Sequence, residues 1–317
     1  MLMRIVRTAA LSGLMGWSGV PVWAAEAPKL LHQRMIEAHP APALNDLAGR
    51  EYKFLLDPAQ LPKEGGAAFV EVWKRLAAAA MKVGASATSP KEGKSLKVET
   101  AIKEYLDTPA QELWQRGYVL RMTTKAKKGD GNRAITVKAI HGDPRQTLAT
   151  PLVVLGAEAK VEAEGNVGLG RDGRLGEYVE KGATWQVRLD QLGALTLGDF
   201  GRFMPELLNL GLPPGTRLVR TRVYAVQAKL GQLVLPEAGP LPVSMEAWSR
   251  TEGGEIFLLD LSYRTAGDYY RNAAAHQAAE KFLAEVACRD LPGLAWPESG
   301  RWGGSKVRVL LNRPGPE

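Results

Sequence analysis

Along much of this chain apolar and polar residues alternate one for one, the two-residue period of a strand with a single face in a core. From Tyr118 to Lys127, Leu120, Met122 and Thr124 point one way and Arg121, Thr123, Lys125 and Lys127 the other. GDGN (129–132) supplies a turn, after which Ile135, Val137 and Ala139 oppose Thr136 and Lys138. Elsewhere Glu51, Lys53 and Leu55 share a face, and Lys160, Glu162 and Glu164 alternate with Val161 and Ala163. Arg220 and Arg222 oppose Val219, Thr221 and Val223; Ser244, Glu246 and Trp248 share a face; Asp260 and Ser262 oppose Leu259 and Leu261. Near the end, Lys306 and Arg308 alternate with Val307 and Val309 and read as a last strand. The pattern predicts about nine strands.

Helical spacing is rarer. The apolar stripe Phe69, Val72, Trp73 and Leu76 predicts a helix over 67–83, and others are expected over 200–210 and 268–288. A short helix after Asp107 would be capped by Thr108, opened by Pro109 and closed by Gly117.

A sheet with one solvated face would also alternate in this way. Two features favour a closed sheet with its charged face inside. Charges recur in pairs two residues apart, at 51/53, 160/162/164, 220/222 and 306/308, and amphipathic helices need an apolar surface to cover. The expected fold is α+β: an antiparallel β-barrel or tunnel with flanking helices.

Composition and the termini refine this. Hydrophobic residues make up 45% of the 317, enough for a substantial core. Residues 1–24 resemble a secretory signal, with Arg4 and Arg7 ahead of an uncharged stretch and Val22 and Ala24 before the cut. Residues 25–47 read as a linker or N-terminal arm, 48–312 as one domain and 313–317 as a tail. The expected location is the periplasm or outside the cell, with no stable membrane span once the signal is removed. Cys288 is the sole cysteine, so no internal disulfide is expected. The net charge of +7 suits an anionic partner, but no Lys/Arg run with interleaved aromatics points to nucleic acid. GLGRDG (168–173) matches a dinucleotide-loop spacing without a surrounding βαβ unit and reads as a turn. His32, His39, His141 and His276 lack zinc-ligand spacing.

The segment EYLDTPAQELWQRGYVLRMTTKAKKGDGNRAITVK (104–138) resembles the CYTH superfamily of triphosphate tunnel enzymes. That family carries a Y-x-D-T-P turn, matched here by Tyr105, Asp107, Thr108 and Pro109. Its L-R-x-R strand is matched by Leu120 and Arg121, and its T-x-K strand by Thr136 and Lys138. Its opening E-x-E-x-K strand is matched by Glu51 and Lys53. Looser likenesses are LVRTRVY (218–224), EIFLLDL (255–261) and Ser305-Lys306.

The resemblance implies a tunnel in which Lys53, Arg121, Lys138, Arg220, Arg222 and Lys306 contact phosphate. It implies Glu51 and Asp260 as catalytic acids, and Glu162, Glu164 and Glu246 as ligands of Mg²⁺ or Mn²⁺. The chain departs from the pattern at Gly49, Thr123, Leu258 and Ser262, each standing where a charge is expected. Two functional readings follow. One is a metal-dependent phosphohydrolase cleaving a phosphoanhydride of inorganic or organic triphosphate. The other is a non-catalytic protein that binds a small polyanion in a degenerate tunnel.

Overall fold

The computed structural model describes residues 29–63, 65–89, 96–125, 131–169, 175–287 and 305–311. The export signal expected at 1–24, Cys288 and the tail at 313–317 lie outside them.

Ten strands form one sheet. They are β1 (Gly49–Leu56), β2 (Ser86–Thr88), β3 (Val98–Asp107), β4 (Tyr118–Lys125), β5 (Asn132–Ala139), β6 (Ala159–Leu169), β7 (Leu175–Arg188), β8 (Val219–Leu235), β9 (Gly239–Ser249) and β10 (Ile256–Ala266). The order is β2-β8-β3-β4-β5-β7-β6-β1-β10-β9, and a β8–β9 pairing closes the ring. Short β2 hangs from β8, so the nine longer strands make a closed barrel. This is the barrel with flanking helices that the alternation predicts. One pair departs from the antiparallel expectation: β1 and β6 run parallel, Arg50 opposite Gly165 and Lys53 opposite Gly168. They are far apart in the chain, so no hairpin forces them antiparallel.

The apolar face of the ring points outward and is covered. Tyr52, Phe54 and Leu56 of β1, with Leu230, Leu233, Met245 and Leu261, pack against Phe69, Val72 and Leu76 of helix α1 (Gly65–Met81) and against Phe282 and Leu283. Across the ring, Leu120, Met122, Ile135, Val137 and Trp185 meet Leu197, Phe200, Met204 and Leu207. Each such side chain contributes about 1.5–3 kcal/mol on burial, which leaves the charged residues of alternate parity facing inward.

Four expectations need correction. The arm at 25–47 contains a helix, Leu31–Ala38. It is held by Glu280, which accepts the N–H groups of Leu31 and His32 and pairs with fully buried Arg50 at 2.8 Å. The helix expected over 268–288 begins at Ala273 and widens into a π-turn over Phe282–Ala287. The helix after Asp107 is one turn, Glu112–Gln115, so Pro109 lies ahead of it rather than opening it; Thr108 Oγ1 caps it as expected, accepting from Glu112 N–H at 3.0 Å, and Asp107 joins in, accepting from the N–H groups of Leu113 and Trp114 at 2.8 and 3.0 Å. Gly117 closes it as expected, at φ +79 and with Ile140 O only 2.6 Å from where a Cβ would stand.

The fourth concerns Lys306–Leu311, read as a strand and found as a helix, here α2. The nine longer strands already close on one another, and the overhang of β8 is taken by β2, so the ring has no place left for this segment. Leu310 instead sinks among Leu55, Tyr105, Val119, Val223, Trp248 and Leu258, which stops one end of the barrel with an apolar floor.

Candidate functional site

Strand register fixes what faces the interior. Tyr105 lies opposite Arg121, Arg121 opposite Thr136, Glu164 opposite Glu180, and Asp260 opposite Glu246. With period-two alternation these pairs place Lys53, Lys103, Arg121 and Lys138 inside, joined by Lys306 from α2. The same parity places Glu51, Glu164, Glu180, Glu246 and Asp260 inside with them. Cations and carboxylates are equal in number among these residues, and Arg264, opposite Glu51 and paired with Glu164, adds a sixth cation toward the rim, so the interior is near balance rather than strongly cationic.

Two ion clusters result. In one, Lys306 Nζ donates to Glu246 Oε2 and to Asp260 Oδ2, both at 2.6 Å, while Lys103 donates to Glu246 Oε1. Burial works against the Glu246 charge, but Lys306 and Lys103 hold it well below the usual carboxylate range. Burial pushes Lys103 down to about 8, with help from Arg121 and Lys306. Asp260 is raised by burial, which Lys306 only partly offsets, and its Oδ1 is buried without a partner among the described residues.

In the other cluster, Lys53 pairs with Glu51 at 2.9 Å and Lys138 with Glu180. Burial opposes the Glu180 charge, yet Lys138 and Lys53 draw it down to about 2. Glu164 goes the opposite way: burial, then Glu180 and Glu51 beside it, push it up to about 7. Arg264 pairs with it at 3.3 Å. Asn166, fully buried on the same face, leaves its Oδ1 unbonded.

Arg121 stands apart. Among the described residues it has no carboxylate partner. Its Nη2 donates to Thr136 Oγ1 at 3.3 Å, and its buried Nε finds no acceptor among those residues. Beside it lies a cavity of about 150 Å³, lined by Arg121, Thr136, Lys138, Lys53, Glu180 and Lys306 among others. Toward the mouth, beyond Glu51 and Lys306, a larger chamber of about 780 Å³ adjoins it.

The structure thus gathers Glu51, Lys53, Arg121, Lys138, Glu164, Glu246, Asp260 and Lys306 inside one barrel. It does not bring in the rest. Arg220 and Arg222 lie on the outer face, because β8 pairs Arg222 with Glu104 and Leu106 with Arg220. Both are about half exposed and bond Glu104, at 3.5 and 2.8 Å. Glu162 has the right parity but sits at the rim, exposed and paired with Lys160 at 2.7 Å.

Sequence reasoning missed Lys103 and Glu180. Lys103 was obscured because its neighbour Glu104 places a charge on the outer face and breaks the alternation. Glu180 could have been found from Tyr178, two residues before it on the inner face.

The departures at Gly49, Leu258 and Ser262 have local reasons. A Cβ on Gly49 would come within 2.3 Å of Thr265 O, so no side chain fits there. Leu258 belongs to the apolar floor, and Ser262 Oγ bonds Ser244 Oγ at 3.0 Å.

The donor set does not fit the expected Mg²⁺ or Mn²⁺. Among the described residues no three acidic, histidine or cysteine side chains converge on one point. Glu246 has both oxygens committed to lysines, and it belongs to a different ion cluster from Glu164. A divalent ion takes several carboxylate or carbonyl oxygens at once, and here Glu51, Glu180, Glu246 and Asp260 each already pair with a lysine.

Fold and site together define a closed β-barrel with an ion-paired interior, stopped at one end. No family model and no curated protein matches the chain. Among solved structures, it is similar to a protein from Hippeastrum described as an adenylyl cyclase with dominant triphosphatase activity. That likeness is at 14% identity and TM-score 0.42, covering 83% of this chain and 94% of the other. It is also similar to an adenylate cyclase-like protein from Bacillus halodurans, at 11% identity and TM-score 0.41, covering 84% and 98%. Likenesses this loose carry no weight about chemistry, and the fold stands on its own strand order.

Proposed function

We propose that the barrel interior binds a small polyanion of the oligophosphate class. The observation that carries this is Arg121: a guanidinium held inside a closed barrel without a carboxylate partner among the described residues, beside Lys138 and Thr136. A rigid fork with an unused N–H suits the paired oxygens of a phosphate. Lys53, Lys138 and Lys306 line the same cavity, and a phosphate oxygen could take the place of the carboxylate each now holds. Because the interior is near balance, affinity would come from this exchange at close range rather than from a net positive field.

A second reading, hydrolysis of a phosphoanhydride, would draw its base from the acids at the cavity wall: Glu180 lines the cavity, and Glu164 faces it across the β6–β7 pair. A carboxyl near pH 7 is suited to accept a proton from water. The water oxygen would form a new bond to the terminal phosphorus as the P–O anhydride bond breaks. The departing remainder, pyrophosphate when the ligand is tripolyphosphate, would keep the bond's electron pair, with Arg121 and Lys138 bearing the added charge. The metal dependence implied by the sequence resemblance is a question for assay.

Calorimetry with tripolyphosphate, paired with phosphate release in Mg²⁺, in Mn²⁺ and in chelator, tests both readings. Binding is expected, and Arg121→Ala should weaken it by about 1.5–3 kcal/mol, the usual worth of a charge-assisted contact. Absence of binding by a folded protein would overturn the proposal. Binding without release under any condition would leave the non-catalytic form.

A further inference from the structure

Outside the barrel interior, a second polar cluster lies beneath the arm helix Leu31–Ala38. Arg50, which points outward from β1, is fully buried there. Its guanidinium donates to Glu177 of β7 through Nε at 2.8 Å and through Nη2 at 2.5 Å. Its Nη1 donates to Glu280 at 2.8 Å and to the Tyr52 hydroxyl at 3.3 Å. Two histidines share the cluster, both without exposed surface: His32 from the arm and His276 from the helix Ala273–Lys281. Their rings lie 5.3 Å apart, and Tyr269 stands against both, at 5.6 and 5.3 Å.

Both rings are placed to be neutral. His32 Nε2 donates to the Tyr269 carbonyl at 2.8 Å, so Nδ1 is its bare nitrogen, buried without a partner among the described residues. His276 Nε2 donates to the Asp268 carbonyl at 3.1 Å, and its Nδ1 accepts from the Thr265 hydroxyl at 2.7 Å. A proton added to either Nδ1 is enclosed with the Arg50 cation. Glu177 and Glu280 face the rings too, but Arg50 engages both, and Glu280 also accepts the N–H groups of Leu31 and His32. Tyr52 and Tyr269 are kept neutral by burial, and the Asp268 carboxylate is turned to the N–H groups of Tyr270 and Arg271. Lys29, Arg34 and Glu37 of the arm, and Lys281 below it, are exposed. Burial therefore decides the outcome: it pushes His32 down, and His276 down to about 4 from an ordinary 6.5.

The arm helix depends on this cluster. Eight residues are too few to persist as a helix alone, and no side chain at its N-cap closes it; Glu280 does so from the opposite element. We propose that the arm is a latch released by acid: protons on His32 and His276 undock Leu31–Ala38 while the barrel stays closed. A lowered histidine stabilises the docked arm fully above its undocked value, and that stability is lost as pH falls from there toward the docked value. Over the same range the barrel keeps its ion clusters, since Glu180 titrates at about 2 and Glu246 well below the usual carboxylate range. β1 links the two regions, with Arg50 turned out to the latch and Glu51 and Lys53 turned in to the cavity, so release removes the outer support of the strand that carries them.

Hydrogen exchange read by mass spectrometry on the full chain, at pH 7 and pH 5 and corrected for the intrinsic pH dependence of amide exchange, tests the latch. With values of 6.5 undocked and about 4 docked, His276 alone predicts about a twentyfold loss of protection over 31–38 between the two. Strands β3 to β5 should keep theirs within about twofold. His32→Gln together with His276→Gln, which retains a donor near each Nε2, should remove the pH dependence, and either change alone should remove part of it. Equal protection of the arm at both pH values overturns the proposal. So does a loss shared in step by β3 to β5, which is unfolding of the whole; both results are read on the unmodified protein and need no variant to fold. A pH dependence unchanged in the double variant overturns the assignment to these histidines, and the proposal with it.

Discussion

Glu164 offers a sharp test, because its two consequences have opposite signs. Its carboxyl titrates at about 7 in the barrel against an ordinary 4.5, raised by burial and then by Glu180 and Glu51. A raised acid destabilises the fold once the unfolded chain ionises it. The penalty is absent below the unfolded value of 4.5, grows as pH rises from there, and is complete above 7. A gap of about 2.5 pH units amounts to about 3.4 kcal/mol at about 1.36 kcal/mol per unit. The side chain is one-fifth exposed and shares its proton with neighbouring acids, so about 2 kcal/mol is the better expectation. Glu164→Gln, which cannot ionise, should therefore gain about 2 kcal/mol over the parent between pH 5 and pH 8, read from denaturant midpoints at the two pH values. If Glu164 is the base for hydrolysis, the same change should abolish any phosphate release while leaving tripolyphosphate binding within about threefold, a difference of less than about 0.7 kcal/mol. A Gln variant equally affected at pH 5 and pH 8 would refute the electrostatic account. A stabilised variant with unchanged turnover would remove Glu164 from the chemistry alone.

Lys306→Met should cost about 2–4 kcal/mol at pH 7, because it leaves Asp260 and Glu246 short of their shared cation. Glu246 is a depressed acid, so the stability it contributes with Lys306 is present above its unfolded value and lost as pH falls through the folded one. The loss caused by Lys306→Met should thus shrink toward acid pH in denaturant titrations; a loss constant with pH would contradict the ion cluster. Arg222→Ala should change tripolyphosphate affinity by less than about 0.5 kcal/mol, since that guanidinium lies outside the barrel and half in water. A loss as large as that of Arg121→Ala would show that the ligand sits on the outer face.

The sequence by itself determined which residues share a face, because side-chain direction along a strand is a local consequence of the backbone. Arg121 with Thr123, Thr136 with Lys138, and Glu51 with Lys53 could all be paired by counting. That the sheet closes, and with the charges inward, was also legible, since helices such as α1 need an apolar surface to cover. Only the tertiary structure decided whether a charged position lies inside or out. Arg220 and Arg222 have the same spacing as Glu51 and Lys53, yet they fall outside because the register of β8 against β3 sets them beside Glu104. Register is a relation between distant segments, and a shift of one residue exchanges the faces. The same holds for Lys306. The sequence shows a valine alternation that suits a strand, but the ring is already complete without it and the segment folds as a helix. Partnership was equally out of reach: that Lys138 meets Glu180 while Arg121 meets no acid among the described residues depends on which strands become neighbours around the barrel. Spacing along the chain carries no information about that.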